Sequence, residues 1–93
     1  MWIIYEHRRI DRQYRAIPLE IQKRYEKWKD IVAISGTQGL RRIKGFHDEA
    51  LFGQWKGCRS SRLGLKYRVI YRVRKQQLMV QVIDLMAHDY RRK

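Results

Sequence analysis

The sequence predicts an α+β domain in which an N-terminal strand and a two-helix hairpin pack on one side of a mainly antiparallel four-stranded sheet. Three observations carry this reading. Apolar residues recur at helical spacing through 19–34, strict alternation governs 66–74, and the helical patterns precede a run of three strands instead of interleaving with them. The 93 residues suffice for one hydrophobic core but not two, so 1–93 reads as a single domain.

Trp2 to Tyr5 is apolar and β-branched on both faces, which predicts a strand inside the sheet, buried on two sides. Over Arg8 to Ala16, Ile10, Tyr14 and Ile17 fall on one helical face, with Arg and Asp between them. Pro18 then suits the first turn of a second helix, where a missing N–H costs nothing. In Leu19 to Ile34 the residues Ile21, Tyr25, Trp28 and Val32 form one stripe, while Glu20, Lys23, Lys27 and Asp30 face water. Ser35 to Gly39, SGTQG, has the composition of a helix stop and loop. Beyond it, LRRIKGF fits a short extended segment and HDEALFG a loop or a single helical turn ahead of Gly53 and Gly57, and because loops beside a sheet often carry binding groups, His47, Asp48 and Glu49 stay in view. From Cys58, strands are expected at about 58–63, 66–74 and 78–86, joined at Gly64 and at 75–77. In the middle one, Tyr67, Val69, Tyr71 and Val73 point to the core, and Arg68, Ile70, Arg72 and Arg74 point away. The last strand is apolar on both faces apart from Gln81 and Asp84, as expected of an interior strand.

Twenty-two Lys and Arg against nine acids give a net charge of +13, a field that draws polyanions. Nucleic acid is the leading partner, although an acidic membrane surface or an acidic protein also satisfies the charge. Seven of these cations lie in Trp55 to Arg74, which contains no acid. No apolar run approaches the roughly 18 residues of a membrane span, and no secretory signal is visible. With a single cysteine, Cys58, this composition suits the cytoplasm. His7, His47 and His88 are scattered, so no metal site is expected, and no phosphate-binding glycine loop is present. No cofactor is implied.

Arg59, Arg62, Arg68 and Arg72 fall on adjacent strands, with His88 and Tyr90 just beyond the last one. In an extended segment His88 and Tyr90 share a face. Metal-free RNA cleavage needs a base for the 2′-hydroxyl, cations for the phosphorane and an acid for the 5′ oxygen, and these residue types supply all three. The competing reading is a solvated or docking face, with His88 and Tyr90 capping the sheet.

Gly53 to Val73, GQWKGCRSSRLGLKYRVIYRV, together with the terminal HDY and the helix PLEIQKRYEKW, resembles the RelE/ParE superfamily of toxins from bacterial type II toxin–antitoxin pairs. The resemblance spans nearly the whole chain. It implies an endoribonuclease that cuts mRNA, commonly on the ribosome, and is silenced by a cognate antitoxin protein. It further implies Arg62 and Arg68 as phosphate-binding residues, His88 and Tyr90 as the acid–base end, and Lys44 as a residue that helps hold RNA; Arg59, Lys66 and Arg72, on the cationic stretch itself, are read as further RNA-binding residues. Some branches place a Glu base ahead of the hairpin; His47 and Glu49 are the alternatives here. A ParE-like gyrase poison or a plain RNA-binding module are the other functions the resemblance and the charge allow.

Overall fold

The computed structural model describes residues 1–87. Strand β1 (Ile3–Glu6) leads into helices α1 (Arg9–Ala16) and α2 (Leu19–Arg41). The strands β2 (Glu49–Ala50), β3 (Arg59–Arg62), β4 (Tyr67–Arg74) and β5 (Met79–Ala87) follow. They form one five-stranded sheet in the order β1-β5-β4-β3-β2, antiparallel except for the parallel β1–β5 pair. The expected α+β architecture is present with one strand more than anticipated. Glu49–Ala50 is too short to carry an alternation signal, and only its pairing with Ser60 and Arg59 makes it a strand.

The helices hold to the sheet through the predicted stripe. Tyr25, Trp28 and Val32 are fully buried against Val69, Tyr71, Val80 and Val82. The Trp28 ring stacks on Tyr25 at 5.8 Å and meets Tyr71 edge-on at 5.3 Å. Such aromatic pairs add about 0.5–1.5 kcal/mol each beyond their buried area. The α1–α2 corner at Pro18 is closed by Gln22, whose Nε2 donates 2.8 Å to the Tyr14 carbonyl at the end of α1, a group that otherwise accepts only a long 3.4 Å bond from the Ile17 N–H among the described residues. Beyond the end of β1, the Gln13 side chain takes over the edge of β5. Its Oε1 accepts the Leu85 N–H at 2.9 Å and its Nε2 donates 2.6 Å to Asp84.

Two expectations are corrected. Strand β1 lies at the sheet edge, not inside it, and Ile3 and Tyr5 are each 59% exposed. Apolar residues on both faces implied two-sided burial, but only the Trp2 and Ile4 side packs on the core. Helix α2 also runs past Ser35 to Arg41, with one non-helical residue, Gly36, at φ 67° and ψ −166°. The glycine-rich SGTQG does interrupt the helix, at Gly36, but a second helical run follows at once to Arg41 where a loop was expected. A β-carbon at Gly36 would sit 2.6 Å from the Trp2 indole nitrogen, so this position needs glycine for both its backbone angle and its close approach. Gly36→Ala is expected to cost about 1–3 kcal/mol, read as a lower thermal midpoint.

The interior placement of β5, between β1 and β4, is as expected. The alternation of β4 also holds, with one addition. Ile70, on the arginine face, is fully buried, flanked along the strand by Arg68 and Arg72 and across it by Ser60 and Asp84. A register shift between Ile70 and Tyr71 lets both Val82 and Leu85 reach the core, with Ile83 and Asp84 between them. No described helix is long and apolar enough to cross a membrane.

Candidate nucleic-acid interface

The β3–β4 hairpin sets Arg62 directly opposite Arg68. Directly paired residues share a face, and this is the face turned away from Ser61, Val69 and the helices. Two like charges in this relation repel, at a cost of about 0.2–1 kcal/mol. Among the described residues no carboxylate lies within ion-pair distance of Arg62, Arg68 or Arg72. The Nε atoms of Arg68 and Arg72 are buried without a hydrogen-bond partner among those residues. Buried donors are normally satisfied, so Arg68 and Arg72 keep donor capacity that the described residues do not use.

Beside the pair lies a narrow cleft lined by His47, Glu49, Ser60, Arg62, Leu65 and Arg68. The segment that brings His47 and Glu49 there is anchored in three steps. Phe46 is fully buried, with the Arg24 guanidinium 4.2 Å from its ring centre. His47 adopts a left-handed conformation (φ 42°), uncommon for a residue with a β-carbon, and turns the chain. Asp48 then enters the interior, its side chain 0% exposed, leaving its neighbours His47 and Glu49 outside.

Asp48 is the hub of a buried polar network. It accepts from Arg59 Nε at 2.9 Å and Nη2 at 2.8 Å, from Ser61 Oγ at 2.7 Å, and from the Tyr71 hydroxyl. Ser61 Oγ in turn accepts from the Trp28 indole at 2.9 Å. Burial and then the hydrogen bond to Asp48 push the Tyr71 hydroxyl pKa up. Tyr25, buried and bonded to Glu6 at 2.6 Å, shifts the same way. A raised folded-state pKa means that the native state keeps protons the unfolded chain releases. The stability from these phenols is complete below the ordinary tyrosine value of 10.0 and declines as pH rises beyond it. The thermal midpoint is therefore expected to fall above about pH 10, and less steeply in Tyr71→Phe or Tyr25→Phe.

The structure brings Arg62, Arg68, His47 and Glu49 together and separates others from them. Arg59 pairs with Tyr71 in the register, on the helix side of the sheet, where Asp48 holds it; it is not on the arginine face. Burial alone would lower the Arg59 pKa, but Asp48 outweighs it and raises the value, so Arg59 stays charged. Arg72 is on the outer face, with Nη2 3.6 Å from Cys58 Sγ. Lys44 and Lys66 stand exposed in turns next to the cleft segments. His88 and Tyr90 lie outside the described residues. Sequence reasoning passed over Arg24, whose stem lies on the helix among other surface cations, and kept Asp48 in view only as a loop residue that could bind, since no local pattern signals its burial. Among the described residues no cluster of His, Cys, Asp and Glu could hold a metal ion.

Neither a family model nor a curated protein matches this sequence. Solved structures do. RelE in the archaeal RelE–RelB complex from Pyrococcus horikoshii superposes with a TM-score of 0.77 at 23% identity, over 96% of this chain and 97% of that one. The YoeB–YefM complex from Staphylococcus aureus gives 0.71 at 14% identity, over 96% and 99%. RelBE2 from Mycobacterium tuberculosis gives 0.67 at 16% identity, over 94% and 98%. The likeness covers the whole architecture, helices and sheet together, and the chain thus has the fold of the RelE/YoeB toxins, the fold implied by its resemblance to the RelE/ParE superfamily.

Proposed function

We propose that this protein is the toxin of a type II toxin–antitoxin pair and acts as a metal-independent endoribonuclease that cuts mRNA on the ribosome. The observation that carries the reading is the opposed Arg62–Arg68 pair, without a described carboxylate partner, beside His47 and Glu49. Holding two guanidinium groups face to face costs stability and is compensated when a phosphate bridges them. The scissile phosphate lies across this pair. A base removes the 2′-hydroxyl proton, the 2′ oxygen bonds to phosphorus, and the bond to the 5′ oxygen breaks as an acid protonates it. The products are a 2′,3′-cyclic phosphate and a 5′-hydroxyl. Arg62 and Arg68 stabilise the charge that builds on the non-bridging oxygens. His88 and Tyr90 form the acid–base end, with His47 and Glu49, already at the cleft, as the alternative bases.

The RelE and YoeB structures cited above were solved as complexes with RelB and YefM. By analogy this chain takes a cognate antitoxin whose acidic segment covers the arginine face. Mapping cleavage in ribosome-bound message tests the activity. Cutting that persists unchanged in both Arg68→Ala and Tyr90→Phe sinks the site assignment, and trapped gyrase–DNA breaks without RNA cleavage would replace the whole reading with a gyrase poison.

A further inference from the structure

A second cavity, of about 560 Å³, shares no lining residue with the arginine cleft. It lies between the part of α2 around and beyond the Gly36 kink, the β2–β3 ribbon and the end of β4, and is lined in part by Trp2, Gln38, Arg41, Arg59, Val73 and Lys75. Its wall exists because of the glycine-rich stretch inside α2. At Gly36 the helix bends and the Trp2 indole packs against the bare α-carbon, which places an aromatic ring at the rim of the space.

The lining has a definite chemistry. Three cations contribute and no Asp or Glu does. Arg59 is committed to Asp48, whereas Arg41 and Lys75 are exposed and form no ion pair among the described residues. A half-buried tryptophan and the Val73 side chain supply an apolar wall, and the exposed Gln38 offers both an amide donor and an acceptor. A free phosphate would use only the cations, and a peptide of Asp and Glu would leave the ring without a stacking partner. A base attached to a phosphate uses all of them, since bases stack on aromatic rings whatever their identity and phosphates seek Lys and Arg. The volume falls within the usual range for small-ligand sites, about 300–1,000 Å³.

We infer that this cavity is a nucleotide-binding site, with the base against Trp2 and the phosphate held by Arg41 and Lys75. It is separate from the site proposed for cleavage and does not depend on catalysis. The test follows the Trp2 indole N–H resonance of the full chain during titration with 5′-AMP, inorganic phosphate or a short Asp/Glu peptide. Saturable movement with 5′-AMP is expected, weakened at least about tenfold in the double variant Arg41→Gln/Lys75→Gln and retained in Arg68→Ala. Both substituted cations are exposed, so the variant keeps its fold. Equal movement with phosphate, movement with the acidic peptide but not with 5′-AMP, or loss in Arg68→Ala with retention in the double variant would each overturn the inference. Because no cleavage is read, failure here leaves the nuclease reading intact, and failure of cleavage leaves this site intact.

Discussion

Asp48→Ala is expected to lower the free energy of unfolding by about 3–5 kcal/mol, the scale for removing one partner of a buried ion pair. The loss arises from what stays behind. Arg59, Ser61 and Tyr71 all donate to this carboxylate, and in its absence a partly buried guanidinium and two buried hydroxyl groups lose their acceptor. Leaving such groups unsatisfied costs more than the bonds themselves contribute. The exposed Arg15–Asp11 pair provides the contrast. Its 2.6 Å separation is just as short, yet both side chains are solvated, and Asp11→Ala should cost only about 0.3–0.5 kcal/mol. Urea unfolding of the two variants at neutral pH checks the prediction; equal losses would mean that burial does not set the difference. Asp48→Asn, which keeps an acceptor and loses the charge, should fall between.

Arg68→Ala is expected to reduce RNA cleavage by roughly 10²–10³-fold, the range for deleting one preorganised group that faces developing charge. Its effect on stability should have the opposite character. The substitution relieves the direct opposition of Arg62 and Arg68, so the thermal midpoint should stay level or rise slightly, in keeping with about 0.2–1 kcal/mol of relieved repulsion. Activity and stability measured on the same preparation separate this from simple misfolding. A variant that loses cleavage in proportion to its folded fraction would refute the role assigned to Arg68.

The fold was largely legible because its main elements carry strong periodic signals. The Ile21, Tyr25, Trp28, Val32 stripe and the β4 alternation each follow from burial on one face, and the hairpin register then puts Arg62 against Arg68. Legibility failed where a residue's role depends on distant parts of the chain. A two-residue β2 has no period of its own, and the apolar β1 reads alike at an edge or in an interior. Arg59 looked like its neighbours until the register placed it beside Tyr71 and the buried Asp48. Gly36 carried the right signal for a break in the helix; what the local sequence lacked was Trp2, the residue that packs against the bend.

The parallel seam between β1 and β5 bears on how the molecule is made. The β3–β4 hairpin is local, whereas Ile3 finds its partner only in Met79, and β5 lies between β1 and β4. Contacts this far apart along the chain slow folding, because a long loop must close before any of them is rewarded. During synthesis, Val69 and Tyr71 have no Leu85 or Val82 to pack against until β5 has left the ribosome. The seam between β1 and β5 is therefore the last part of this sheet to close, and until it does the hairpin that carries Arg62 and Arg68 stands on an incomplete core.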